Sequence, residues 1–239
     1  MMLKKKVAPM AWFSFLAASI RWALDEMRLE SGAFASSLDA DSEGEEGRFY
    51  LWTDEEVAAT LGGDADLFRM AYALAVDRGR IVLYADALPG LYYAVQTLRQ
   101  LVRLRRRHIP ALTILDWPSL PARGLMLDIS RRKVPTVETL KHLVDELSHY
   151  KVNVLQLYTE HTFLFPRHPK IGARCGSLSS EDILELDAHC RQRQVELMPN
   201  LQSFGHSRNT LRLPDYKALA ETELLWTVSP AHEETYRLL

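Results

Sequence analysis

The pattern of apolar and polar positions becomes regular after the middle of the chain, where strands alternate with helices. A nearly continuous apolar strand is predicted over residues 124–129. Two further strands are predicted over 153–158 and 195–199, and a capping box formed by Ser179 and Asp182 begins the helix between them. Strands and helices in this order are typical of parallel βα units.

Residues 119–239 therefore predict an α/β fold, in which three to four βα units form the first part of a (β/α)8 TIM barrel. A closed barrel of this type needs about 250 residues, roughly twice the length of this region. A further helix is predicted to begin at Pro230. We expect an incomplete barrel, and its unpaired strand edges favour self-association.

The preceding region, residues 76–118, is predicted to contain a strand, a helix and a short link. Residues 80–84 alternate as a strand does, residues 91–102 have helical periodicity, and residues 114–118 are predicted to be a short extended link. The helix places four apolar residues on one face: Leu91, Val95, Leu98 and Val102.

Residues 1–75 form a third, mainly helical segment that contains an acidic turn. The uncharged run 7–20 follows three lysines and predicts a buried helix, with a secretory signal as the alternative. The acidic run 36–47 imitates the start of a calcium loop, but Tyr50 stands where that loop needs a bidentate Glu. A solvated acidic turn is therefore expected, followed by a helix that Thr53 caps.

Composition is that of an ordinary globular protein, with 47% apolar and 25% charged residues. The formal net charge of −2 argues against nucleic acid as a partner, because no overall positive field would hold a phosphate backbone. Cys175 and Cys190 form neither a disulfide framework nor a zinc site. We expect no metal, no cofactor and no membrane span, and the cytoplasm is slightly favoured over secretion.

Polar residues cluster where each predicted strand ends, which is where βα folds carry their chemistry. An Arg, a carboxylate, an amide and two histidines on one rim suit a polyhydroxylated ligand. The alternative for the Arg is a simple ion pair with a nearby acid such as Asp128. The candidate binding residues, in chain order, are Arg131, Glu160, His161, Gln202 and His206.

The same segments resemble glycoside hydrolase family 20, the β-N-acetylhexosaminidases. Residues 123–131, with the sequence RGLMLDISR, are similar to the opening barrel strand of that family. Residues 150–158 are similar to its second strand, and residues 198–207 to its third strand and the loop after it. Residues 90–101 resemble the end of the small α+β domain that precedes this barrel, so the resemblance implies that residues 76–118 are the end of such a domain.

The resemblance implies retaining, substrate-assisted removal of a terminal N-acetylglucosamine or N-acetylgalactosamine from a glycan. It implies that Arg131 holds sugar hydroxyls, that His206 helps to set the protonation of the catalytic carboxylates, and that Glu160 is a rim acid. His161 stands where the most similar subgroup usually has Asp. The family's catalytic Asp-Glu pair follows a fourth strand, and no Asp-Glu dipeptide of this sequence matches it.

The N-terminal part resembles a different family. Residues 32–52, with the core SSLDADSEGEEG, are similar to the YyaL family, also called spermatogenesis-associated protein 20-like or thioredoxin-domain-containing. That family has a thioredoxin-like domain and a helical toroid, whereas this sequence contains no Cys-x-x-Cys, so no activity is implied for residues 1–74. Two further hypotheses follow, namely a non-catalytic carbohydrate-binding or structural protein, and an artefactual join of two gene fragments.

Overall fold

The computed structural model describes residues 41–42, 45–46, 54–106 and 108–239, which belong to two compact units, residues 1–62 and 63–239. In the first unit, the acidic run makes a minimal antiparallel pair of strands, and the helix predicted to follow Thr53 is confirmed. These elements are β1 (Asp41–Ser42), β2 (Glu45–Glu46) and α1 (Asp54–Leu61). The expected helix over 7–20 and the Thr53 cap lie outside the described residues.

The second unit begins with a three-stranded antiparallel sheet and a long helix. Its elements are α2 (Ala65–Arg69), β3 (Tyr72–Val76), β4 (Ile81–Tyr84), α3 (Leu88–Arg105) and β5 (Leu112–Asp116). The strand order is β4-β3-β5, so β3 is the central strand. The predicted boundary between residues 75 and 76 cuts through β3, and the predicted link is in fact the edge strand β5, because five of its residues pair with β3.

Helix α3 packs through a different face from the one that its apolar stripe indicates. Tyr93 and Ala94 are buried, whereas Leu91 and Val95 remain 40% and 38% exposed. The reason is a close approach at Gly90, where a Cβ atom would lie 2.3 Å from the carbonyl oxygen of Ala71. The buried face of the helix therefore centres on Gly90, Tyr93 and Ala94, and most of its aliphatic stripe remains exposed.

The remainder of the second unit contains three parallel strands with helices between them, as the sequence predicts. The elements are β6 (Gly124–Asp128), α4 (Val137–His149), β7 (Val154–Tyr158), α5 (Ser180–Gln192), β8 (Glu196–Asn200), α6 (Arg208–Leu211) and α7 (Glu233–Leu238). The order is β6-β7-β8, and within the described residues the two outer strands pair only with β7. The sheet is thus an open part of a TIM barrel, and α7 begins three residues after Pro230.

Local sequence signals begin the two long helices of this sheet. The Thr136 side chain accepts a 3.2 Å hydrogen bond from the Thr139 amide, and both bonds of the Ser179–Asp182 capping box are present. The apolar core lies between these helices and the sheet, and its buried members are Ile129, Leu140, Val144, Leu155, Leu157, Leu178, Leu186, Cys190 and Val195. None of the described helices is both long and apolar enough to cross a bilayer.

Polar contacts join the antiparallel sheet to the amino-terminal ends of the parallel strands. The Lys151 ammonium donates to Asp116 at 2.7 Å and to the Tyr72 hydroxyl at 2.6 Å. The Arg123 guanidinium donates to the Lys151 carbonyl at 2.9 Å and to the Tyr93 hydroxyl at 3.1 Å. We call these five residues the junction, and it lies at the opposite end of the strands from the predicted binding residues.

Candidate functional site

The register of the parallel sheet brings the ends of its strands together. Asp128 pairs with Tyr158, and Tyr158 pairs with Asn200, so these residues form one row across the carboxyl ends of β6, β7 and β8. Side chains at alternate positions point to the same face of a strand, so this row lies on the face away from the buried core. The loops that leave the row carry every candidate binding residue.

Arg131 and Glu160 form the centre of the site. One guanidinium nitrogen of Arg131 donates to Glu160 Oε1 at 2.7 Å, and the guanidinium carbon lies 5.7 Å from the centre of the Tyr158 ring. Glu160 is almost buried, with 6% of its side chain exposed, whereas Arg131 is 54% exposed. The hydrogen bond with Glu160 raises the pKa of Arg131. The Arg131 guanidinium is therefore held in a fixed position at the rim, while about half of its side chain remains exposed to solvent.

Asp128 has a structural role at the start of the same loop. Its Oδ1 accepts hydrogen bonds from the Ser130 amide at 2.8 Å and the Ser130 hydroxyl at 2.6 Å. Burial alone would raise the pKa of Asp128, but these bonds and the charge of Arg131 outweigh it and lower the pKa. Arg131 Nε lies 3.7 Å from this carboxylate, so the ion pair expected as the alternative is weaker here than the pair with Glu160.

His206 approaches Glu160 from the loop after β8. Its Nδ1 lies 3.4 Å from Glu160 Oε1 and is buried without a well-directed hydrogen bond. The Tyr158 ring meets the imidazole edge-on at 6.1 Å between centroids, and Trp226 lies against it at 4.6 Å. Arg131 and His206 therefore both lie against the Glu160 carboxylate. The sequence did not indicate Trp226, because it lies in a loop twenty residues later.

Three of the eight described non-glycine residues with a positive φ lie at this rim. Glu160, His206 and Arg132 have φ angles of 45°, 60° and 66°, in the left-handed region that residues other than glycine rarely adopt. Such conformations persist only where the surroundings impose them, and they are common at functional sites. The strain indicates that the fold holds these side chains in place.

His161 joins the cluster, whereas Gln202 does not. His161 Nδ1 is 3.1 Å from the Asn209 amide nitrogen and 3.9 Å from Glu160 Oε2. Burial lowers the pKa of His161 more than the Glu160 charge raises it, so the imidazole is neutral at neutral pH. The Gln202 amide donates to Asn200 Oδ1 at 3.0 Å, and no described hydrogen bond links it to the other four candidates.

The loop after β7 folds back onto the site. The Leu178 amide donates to the Thr162 carbonyl at 3.1 Å, which closes the loop at its base. Gly172 lies in its interior with φ 75°, and a Cβ atom there would lie 2.5 Å from the His161 carbonyl oxygen. In the parts of the chain that the structure describes, no group of three or more His, Cys, Asp or Glu is arranged to hold a metal ion.

The sequence of this chain is similar to those of known glycosyl hydrolases. Residues 16–117 match the model of glycosyl hydrolase family 20, domain 2, and residues 121–237 match the model of the family 20 catalytic domain. A β-hexosaminidase of Vibrio furnissii is 28% identical over 80% of this chain and 38% of its own length. A β-N-acetylhexosaminidase of Cellulomonas fimi is 37% identical over 43% of this chain and 23% of its own.

The fold also matches solved structures. The β-N-acetylhexosaminidase of Bacteroides fragilis aligns with a TM-score of 0.63 and 25% identity, over 73% of this chain and 39% of that one. The chain thus spans less than half the length of the relatives it matches. The domain 2 match crosses the predicted boundary at 75/76 and covers most of the segment likened to the YyaL family, so it does not support a change of family there. Because the matches cover both the small domain and the barrel strands, this chain belongs to glycosyl hydrolase family 20.

Proposed function

We propose that this chain supplies the sugar-binding part of a β-N-acetylhexosaminidase site, which removes terminal N-acetylglucosamine or N-acetylgalactosamine with retention of configuration. The observation that carries the proposal is the Arg131–Glu160 pair, in which a buried carboxylate fixes a half-exposed guanidinium at the carboxyl ends of parallel strands. The relatives that are named β-hexosaminidases support the same reaction class.

Each residue of the cluster has a distinct proposed role. Arg131 donates to two neighbouring hydroxyls of the terminal sugar, since its planar fork suits bidentate binding. Glu160 fixes the direction of that fork, and His206 Nδ1 lies 3.4 Å from the same Glu160 oxygen that accepts from Arg131. His161 offers a neutral imidazole to the same rim, and Gln202 is a further sugar-binding residue in the loop after β8, where its amide donates to Asn200 Oδ1. No cofactor is required, because in substrate-assisted hydrolysis the acetamido oxygen of the sugar is the nucleophile.

The test compares two adjacent arginines in a protein that joins residues 1–239 to the later barrel units of a β-hexosaminidase relative. We expect Arg131→Lys to lower kcat/KM for an aryl N-acetylglucosaminide at least tenfold, about 1.4 kcal/mol, because lysine cannot replace a bidentate donor. Arg132→Lys is the matched control, since Arg132 is exposed and forms no described ion pair. It should change kcat/KM less than twofold.

Equal and small losses of kcat/KM for both variants, with unchanged thermal unfolding, would show that Arg131 does not bind the sugar. Binding of N-acetylglucosamine without turnover would instead favour the non-catalytic carbohydrate-binding function. That alternative has one observation in its favour, because the two rim carboxylates near Arg131 are already engaged, Glu160 by Arg131 and Asp128 by Ser130.

Self-association through the open sheet is a further part of the proposal. Met126 and Met198 are 57% and 37% exposed on the two outer strands. Unpaired strand edges and exposed apolar side chains both promote association. We expect a polypeptide of residues 1–239 to elute as dimers or larger species in size-exclusion chromatography with light scattering. A sharp monomer peak at micromolar concentration would contradict this.

The origin of the first 75 residues stays a prediction. The YyaL resemblance of residues 1–74 and a join of two gene fragments both require a change of sequence family near residue 75. The family 20 match from residue 16 and the continuous strand β3 favour one origin for most of the chain. A single genomic read that spans codons 74–90 decides whether the segments are contiguous.

A further inference from the structure

We propose that the outer side of helix α3 is a docking surface for a membrane that carries anionic lipids. This surface is an apolar stripe with arginines on both sides, and we call it the α3 face. Its members are Leu91, Val95, Arg99, Val102, Arg103 and Arg105. The α3 face contains none of the candidate sugar-binding residues, so the inference does not depend on the proposed function.

The apolar stripe is exposed along most of the helix. Leu91, Val95 and Val102 remain 40%, 38% and 48% exposed, and their spacings of four and seven residues place them on one line along the helix. The opposite side of the helix, which includes Tyr93 and Ala94, packs against the antiparallel sheet. Exposed apolar patches of this kind mark contacts with proteins or membranes. The charges around the stripe indicate which of these partners it fits.

Arginines lie along both sides of the stripe. Because a helix has 3.6 residues per turn, Arg99 and Arg103 lie on one side of the line through Val95 and Val102, and Arg105 lies on the other. All three arginines are exposed, and no ion pair among the described residues includes any of them. Their charges are therefore available to an anionic partner.

The sequence around this helix carries no negative side chain. The 29 residues between Asp86 and Asp116 contain five arginines and neither Asp nor Glu, although the whole chain has a formal net charge of −2. Positive charge is thus concentrated in one region of a protein that is not basic overall. A local field of this kind attracts an anionic surface to this side of the molecule.

The apolar centre and basic flanks together favour a lipid surface over other anionic partners. An amphipathic helix with this arrangement lies in the plane of the bilayer interface, with its apolar side among the acyl chains and its basic side chains at the level of the headgroups. Arginine suits these flanks, because its apolar stem covers the stripe while its guanidinium binds phosphate. A nucleic acid or an acidic polysaccharide would contact the arginines and leave the stripe in water.

Helix α3 lies at the end of the parallel strands opposite the rim. The Gln100 amide donates to the His149 carbonyl at 2.8 Å, and the Tyr92 hydroxyl lies 2.6 Å from Ser148 Oγ. The helix therefore packs against the end of α4 that leads into β7, whereas the candidate sugar-binding residues follow the other ends of the strands. Docking through the α3 face would leave the rim open to a glycan.

The experiment uses the full 239-residue chain and measures its sedimentation with large unilamellar vesicles of phosphatidylcholine, with and without phosphatidylglycerol at about 30%. In about 0.1 M NaCl, we expect at least about tenfold tighter binding to the anionic vesicles. Raising the salt to about 0.5 M should weaken that binding severalfold, because it screens exposed charges. Equal affinity for the two kinds of vesicle, or no binding to either, would overturn the proposal.

Two double variants separate the contribution of the charges from that of the stripe. Arg99→Gln with Arg105→Gln should weaken binding to the anionic vesicles about 20-fold to 30-fold, since each basic residue near such a surface contributes about fivefold. Val95→Gln with Val102→Gln should weaken it about tenfold, because apolar surface no longer enters the lipid. Glutamine is a good helix former, so the midpoint of thermal unfolding should fall by less than about 3 °C in both variants.

Arg191→Gln with Arg237→Gln is the matched control, because it removes the same charge from exposed positions on other helices. It should change the affinity for anionic vesicles less than about twofold, since distant charges are screened. If this control weakens binding as much as the α3 arginine variant does, net charge is responsible and the proposal is wrong. The proposal is also wrong if Val95→Gln with Val102→Gln leaves vesicle binding unchanged and shifts the elution of the chain toward monomer, because a second copy then covers the stripe.

Discussion

A polypeptide of residues 1–239 alone is expected to hydrolyse aryl N-acetylglucosaminides at least about 100-fold more slowly than a complete β-hexosaminidase. A positioned general acid contributes about 10²–10⁴-fold to such a reaction. Of the carboxylates around Arg131, Glu160 is almost buried and bound to the guanidinium, and Asp128 has a lowered pKa. Asp128 is therefore not suited to donate a proton at neutral pH, and the Glu160 carboxylate is engaged by Arg131. The measurement is the initial rate with a chromogenic substrate, at matched protein concentration.

A comparable rate would show that one of these carboxylates acts as the acid after all. Glu160→Gln then identifies it, because the amide keeps the shape of the side chain and cannot donate the proton. If the rate of the unmodified polypeptide is already low, Glu160→Gln should change sugar affinity through Arg131 and leave the residual rate of hydrolysis nearly unaffected.

Gly172→Ala is expected to destabilise the second unit by about 2–4 kcal/mol. The left-handed φ of 75° costs an alanine about 1 kcal/mol or more. The added Cβ would also lie 2.5 Å and 2.8 Å from the carbonyl oxygens of His161 and Phe163, and relief of such overpacking costs about 1–3 kcal/mol. For a unit of this size, the midpoint of thermal unfolding should fall by about 5–10 °C.

Gly176→Ala is the matched control within the same loop. Gly176 has a φ of 67°, but nothing lies within 4 Å of the position that its Cβ would take. Only the backbone cost then applies, and the midpoint should fall by about 2–4 °C. Equal shifts for the two variants would mean that the loop moves freely away from His161 and does not support the site.

The sequence predicts the parallel part of the fold well, because its strands are short and the first two are each followed by a helix with its own cap. The caps at Thr136 and Ser179 are examples, since both depend only on residues within one turn. The antiparallel sheet is harder to predict. Strand β3 has the sequence YALAV, which is ambiguous between strand and helix, and its identity depends on pairing with β4 and β5.

The residues of the candidate site were likewise predicted only in part. Arg131, Glu160 and His206 were predicted because they follow strand ends, and strand ends of a parallel sheet converge. Their contacts confirm that convergence, although their roles stay predictions. Trp226 was missed because it lies in a long loop that folds back onto His206, and no periodic pattern marks such a loop. Asn209 was missed because it lies in the short helix α6, beyond the end of the third strand.

The position of the junction relative to the rim has a consequence for how such a protein diversifies. Lys151 and Arg123 fasten the two sheets together at the amino-terminal ends of the strands, whereas the sugar-binding residues follow the carboxyl ends. Five strand residues, about 15 Å, separate the two sets of contacts. Substitutions at the rim that alter ligand preference therefore leave the contacts between the two sheets intact. Related proteins can thus change the glycan that they bind without changing how their domains are attached.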